Sequence, residues 1–168
     1  GDPWTITGDP TEGALLALAA KLGVDREAIL GASPRIEELT FDSERRRMAT
    51  LHAVGSDVWV AVKGALESIG PLLDPDQTGV LAAADAVADR SAADGYRVLA
   101  FAERTIADVP ARLDDAETGL RLVGIVGLAE AANAHSLGIA EQAAHRDHAM
   151  KVQRQEVAAG LLATLREG

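Results

Sequence analysis

Three consecutive arginines, Arg45-Arg46-Arg47, follow Phe41 closely, and Lys63-Gly64 follows at the end of the next apolar stretch. Phe41 is one of only two phenylalanines in the chain. These are the side chains that hold a purine and its phosphates. An aromatic ring stacks on a base, and a guanidinium bonds phosphate oxygens, often with two N–H groups at once. The spacing is not that of a Gly-x-x-x-x-Gly-Lys phosphate loop. No nucleophile–base constellation accompanies it, so a free-standing small-molecule enzyme is the weakest reading.

Each candidate has a plainer alternative on the residues alone. Phe41 suits a core position at a strand end. Lys63 suits a solvated strand end, the usual place for lysine. Arg45 and Arg47 take no assigned role: side chains alternate along a strand, so at least one of the neighbouring arginines is expected to face solvent. Glu12 fits the third position of a helix capping box, which needs no ligand. Met48 on a strand suits plain core. His145 and His148, with Asp147 between them, share a helix face. They offer only two nitrogen ligands, and a solvated face is the better reading than a metal site.

The elements that position these residues are legible in part. Asp9 caps a first helix, Pro10 suits its first turn, and Gly23 ends it. Its apolar stripe is Leu15, Leu16, Leu18, Ala19 and Leu22. A short second helix spans Asp25 to Leu30. Ile36, Leu39 and Phe41 belong to a first strand, Met48–Val54 to a second and Val58–Lys63 to a third. Gly55-Ser56-Asp57 between the last two is hairpin-turn chemistry. A helix is predicted over Thr78–Asp94, closed by Gly95. A fourth strand runs over Tyr96–Glu103 and a fifth over Leu120–Val126. Residues 127–168 form a divergent alanine-rich tail expected to be helical. Hairpins with helices, lacking regular strand–helix alternation, predict an α+β fold with an antiparallel β-sheet flanked by helices. The division is residues 1–126 as the binding domain and 127–168 as the tail, packed on the same domain.

Composition narrows the classes. The 168 residues carry a formal net charge of −10 and are 48% apolar, which suits one domain with a real core. That charge opposes binding to duplex nucleic acid or to anionic lipid. Cysteine is absent, which excludes disulfides and thiolate metal sites. No apolar run reaches the roughly 20 residues that span a bilayer. The start, Gly1-Asp2-Pro3-Trp4, is polar and lacks an initiator methionine, and is read as the start of a fragment.

Four islands occur in one order: Gly8-Asp9-Pro10-Thr11-Glu12-Gly13-Ala14-Leu15, Phe41-Asp42-Ser43-Glu44-Arg45-Arg46-Arg47-Met48, Lys63-Gly64-Ala65 and Gly95-Tyr96-Arg97-Val98-Leu99-Ala100. Together with Leu122-Val123-Gly124-Ile125-Val126 they resemble the nucleotide-binding domain of P-type cation-transporting ATPases, in the calcium and sodium/potassium pump branch. The resemblance covers residues 4 to 126. It implies a cytosolic domain of an integral membrane pump. ATP would be the ligand, as Mg-ATP in the full-length pump, and the pump's phosphorylation and actuator domains the partners.

The resemblance also implies roles. Phe41 would stack on adenine, with Met48 beside it. Glu12 would accept a hydrogen bond near the adenine amino group. Lys63 would line the pocket, and Gly64 would let the ligand approach closely. Arg46, where the family commonly has lysine, and Arg97 would bond the phosphates. Leu66 replaces the family's usual proline, while Glu67 is kept. The family's Asp-Lys-Thr-Gly-Thr, Thr-Gly-Glu and Gly-Asp-Gly islands are absent from these residues. The chain alone is therefore expected to hold ATP without turning it over. The alternative is a non-catalytic interaction domain that retains the scaffold.

Overall fold

The computed structural model describes residues 10–129. Five strands form one antiparallel sheet in sequence order: β1 (Arg35–Asp42), β2 (Arg47–Val54), β3 (Asp57–Gly64), β4 (Tyr96–Ile106) and β5 (Arg121–Ala129). The helices are α1 (Pro10–Lys21), α2 (Arg26–Ala32), α3 (Leu66–Ile69) and α4 (Thr78–Ala93). This is the α+β arrangement expected from the sequence. Among the described residues, no helix is long and apolar enough to cross a membrane.

Alternation along the strands gives the sheet two apolar faces. Ala49 and Leu51 of β2, Val58, Val60 and Val62 of β3, Ala100 and Ala102 of β4 and Leu122 of β5 share one core with Leu66, Ile69 and Leu120. Leu81, Ala84 and Ala88 of α4 pack onto it, at the spacing of one helix face. The opposite face carries Phe101 and Val123 under Leu15 and Ala19 of α1, with Leu18, Val24, Ile29 and Leu99 around them. Leu15 is wholly buried, which contributes roughly 1.5–3 kcal/mol relative to exposure.

Local chemistry sets the joints. Val54 pairs with Asp57 across a two-residue loop, and Gly55 takes φ +60°. That is the loop position where a type II′ hairpin turn requires glycine. Gly95, at φ +84°, ends α4 and donates its N–H to the Ala92 carbonyl.

The structure departs from the sequence reading at several points. β4 continues to Ile106, and β5 continues to Ala129, where Gly127, Leu128 and Ala129 pair with Val98, Arg97 and Tyr96. Pairing with β4 carries β5 past the apolar run that marked it. The four-residue α3 and a 3-10 turn over Leu113–Glu117 have no periodic signal in the sequence. Leu66, at the position of the family's proline, opens α3 and is buried. The first helical position is one where a backbone N–H needs no partner, so either residue starts the same helix. Asp9 and residues 130–168, including His145, Asp147 and His148, lie outside the described residues.

Candidate nucleotide site

The site starts from a helix face. Glu12, Leu15 and Ala19 recur at intervals of three and four residues, so Glu12 points to the sheet with its apolar neighbours. On β3, Val62 faces the α4 side, which turns Lys63 toward α1. The Lys63 Nζ donates to Glu12 Oε1 at 2.7 Å. Lys63 is 7% exposed, so the solvated-lysine alternative does not describe it. A buried ammonium needs a partner of this kind. The second Glu12 oxygen, Oε2, is buried and has no hydrogen-bond partner among the described residues.

Lys63 lies in a row across the sheet. It pairs with Met48 on β2 and with Phe101 on β4, and both neighbours are buried. Met48 is therefore core in the same row as the Lys63 ammonium. Arg97 lies four residues before Phe101 on β4, hence on the same face. Its Nη2 donates to Thr11 Oγ1 at 2.6 Å. Two cations from two strands thus converge on consecutive residues, Thr11 and Glu12, in the first turn of α1.

Phe41 reaches this region through an irregularity. Leu39 pairs with Ala49 and Asp42 with Arg47, so Thr40 and Phe41 together oppose the single residue Met48. Such a bulge breaks the alternation that would otherwise put Phe41 on the side of Leu39. The ring is 56% exposed on an edge strand. The core alternative for Phe41 is thereby excluded.

The β1–β2 turn is heavily constrained. Asp42 Oδ1 accepts from the N–H of Glu44 and of Arg45, each at 2.8 Å. The Arg45 N–H, then that of Glu44, hold the Asp42 carboxyl below its ordinary value of 3.8. The Asp42 carbonyl accepts from the Arg46 N–H at 2.7 Å. Arg46 takes φ +50°, alone among the described non-glycine residues, at a cost of order 1–3 kcal/mol. Its carbonyl accepts from the Ala65 N–H at 3.0 Å.

Two expectations change here. A Cβ on Gly64 would lie 2.5 Å from the Arg46 carbonyl oxygen and 2.5 Å from Arg47 Cβ. The glycine is thus demanded by the β1–β2 turn itself, whatever approaches from outside. Arg45 and Arg47 are also not solvent-facing charges. Arg45 Nη1 donates to Glu117 Oε2 at 2.9 Å, and Arg47 Nε to the same oxygen at 3.0 Å. Arg45 in the turn and Arg47 at the start of β2 both reach one buried carboxylate, Glu117, which is 1% exposed.

Glu12, Lys63, Met48 and Arg97 are thus brought together under α1, with Phe41 at the adjoining edge. Arg46 is directed elsewhere: its Nη1 donates to Glu67 Oε1 on α3 at 2.7 Å. Both of those side chains are more than half exposed. Thr11 was not singled out in the sequence, though it adjoins Glu12. Glu117 was not either, and it lies 72 residues from Arg45. An open cleft of about 420 Å³ beside Glu103, Arg104 and Arg121 contains none of the candidate residues. No group of three or more potential metal ligands exists among the described residues.

A sequence model of the family described as P-type ATPase, cytoplasmic domain N, matches residues 1–132. The chain is 39% identical to the cation-transporting ATPase pma1 of Synechocystis over 76% of its length. It is 36% identical over 96% of its length to the probable cation-transporting ATPase F of Mycobacterium tuberculosis. With the calcium-transporting ATPase 1 of Bacillus cereus it shares 30% identity over 73%. It spans 15% of the Synechocystis protein, 20% of the mycobacterial one and 15% of the Bacillus one. A five-stranded antiparallel sheet with α1 on one face, and a match running through all five strands, place this chain in the family of P-type ATPase cytoplasmic N domains.

Proposed function

We propose that this domain binds ATP between α1, β3 and the β1–β2 turn. It would present the γ-phosphate to a phosphorylation domain elsewhere in a longer cation-transporting ATPase. One observation carries the reading: Glu12 Oε2 is a buried acceptor lacking a donor among the described residues, set beside the Lys63 ammonium in a region rimmed by an exposed aromatic ring. A buried unsatisfied acceptor is costly unless something donates to it. The amino group of adenine is such a donor, and Phe41 supplies the stacking surface.

ATP supplies the transferable phosphoryl group. The residues of this chain bind and orient it. Phe41 stacks the base, Glu12 accepts from its amino group, and Lys63 and Arg97 attract the phosphates. Arg46 joins by exchanging its exposed bond to Glu67 for a phosphate oxygen. Such exposed ion pairs are worth about 0–1 kcal/mol, so the exchange is easy. The contribution to transfer is positioning.

Lys63 and Arg46 each already hold a carboxylate, which is what an interaction domain without nucleotide would also show. Equilibrium dialysis of the chain against millimolar ATP separates the two. Saturable uptake that drops in Phe41→Ala supports the ATP-binding reading. No uptake leaves the interaction domain.

A further inference from the structure

Glu117 is a buried acid that the proposed site does not use. All its bonds to the arginines run through one oxygen: Oε2 takes Arg45 Nη1, Arg47 Nε and Arg47 Nη2, at 2.9, 3.0 and 2.9 Å. Oε1 is buried and without a partner among the described residues. A carboxylate placed merely to satisfy itself would share donors between its oxygens. This one gathers two mutually repelling guanidiniums to a point, from the end of the 3-10 turn Leu113–Glu117.

Arg45 Nη1 also lies 3.5 Å from Asp114 Oδ1, and a third contact of Arg45 gives the arrangement a direction. Arg45 Nη2 donates to the Thr40 carbonyl at 3.1 Å, and Thr40 shares with Phe41 the bulge opposite Met48. A chain of bonds therefore runs from Glu117 through Arg45 to the backbone that carries the exposed ring. At this point β1 is an edge strand whose pairing with β2 is interrupted by the bulge, between Leu39–Ala49 and Asp42–Arg47.

We infer that Glu117 is a positioning residue for nucleotide binding, holding the Phe41 bulge in its stacking-competent position through Arg45. This rests on the ATP-binding reading given above. Glu117 touches no nucleotide in this scheme. Its effect passes through Phe41 and disappears when the ring is gone.

The test is a double-mutant cycle in the full 168-residue chain, combining Glu117→Gln with Phe41→Ala. ATP affinity is read by dialysis, and amide exchange of residues 40–46 by mass spectrometry. Glu117→Gln is expected to weaken ATP binding about fivefold when Phe41 is present and by less than about twofold when it is absent. Equal losses in the two backgrounds, or no loss, would overturn the inference. Amide exchange over residues 40–46 should rise about tenfold more than in α4; a rise shared equally by α4 would mean general destabilisation and also overturn it. If Glu117→Gln does not fold, Arg45→Met takes its place: it leaves Arg47 on Glu117 and cuts the link from Glu117 to Thr40 at Arg45, removing the Arg45 contacts with Glu117, Asp114 and Thr40 together. If the unmodified chain binds no ATP, the ATP-binding reading fails by itself. The exchange measurement then decides whether Glu117 orders the bulge.

Discussion

Lys63 and Glu12 meet at 2.7 Å, joining the third strand of the sheet to the first turn of α1. The pair fixes the relation between a helix and the strand that it covers, and places one acidic and one basic group at the same point. Glu12→Gln keeps the shape and removes the charge that faces Lys63. Its expected effect is a loss of about 1–2 kcal/mol in stability, discounted because Glu12 is partly exposed. Urea denaturation of the variant against Lys63→Met/Glu12→Gln measures the coupling. Independent, additive losses would show that the contact is not energetically real.

Phe41→Ala separates binding from folding. The ring is mostly exposed, so stability is expected to change by less than about 0.5 kcal/mol. Affinity for ATP is expected to fall by about 1–3 kcal/mol, the scale for a base on an aromatic side chain. A variant that loses stability and keeps affinity would reverse the assignment.

Gly64→Ala tests the contact with the β1–β2 turn. Its methyl would lie 2.5 Å from the Arg46 carbonyl oxygen, a rigid backbone atom. Overpacking of this kind costs about 1–3 kcal/mol. The thermal midpoint should drop by several degrees, with the hydrogen exchange of Arg46 and Ala65 rising first. An unchanged midpoint would show that the turn moves freely.

Acid acts on the turn through Asp42. Its folded-state pKa lies below the ordinary 3.8, so the unfolded chain takes up the proton first. The contribution of this carboxylate is therefore complete above that value and disappears as pH falls through the lower folded-state one. Amide protection of Glu44 and Arg45 is expected to persist as pH falls to the ordinary carboxylate value of 3.8 and to fail only as it falls through the lower folded-state one. Asp42→Asn should abolish that acid dependence. Loss of protection at neutral pH would contradict the assignment.

Hydrophobic spacing and turn residues made the main elements legible. Gly55 and Gly95 marked joints that the backbone requires, and the Leu15–Ala19 face marked the side of α1 that meets the sheet. Glu12 and Lys63 were visible as candidates, but their pairing was not, because 51 residues separate them. The exposure of Phe41 was hidden by the bulge: period-two reading assigns it to the side of Leu39, and one extra residue undoes that. Arg45 and Arg47 were misread for a different reason: they lie two residues apart, and nothing local announces the buried carboxylate of Glu117, 72 and 70 residues away, that both of them reach. The need for a glycine at position 64 was anticipated; that Arg46 and Arg47 press on it was not.

Chemical-shift mapping of the chain during titration with ATP tests the central claim most directly. Saturable shifts concentrated at Glu12, Phe41, Met48, Lys63 and Arg97, with smaller ones at Arg46 and Glu67, are the expected result. Shifts centred on Glu103, Arg104 and Arg121, or none at millimolar ATP, would contradict it.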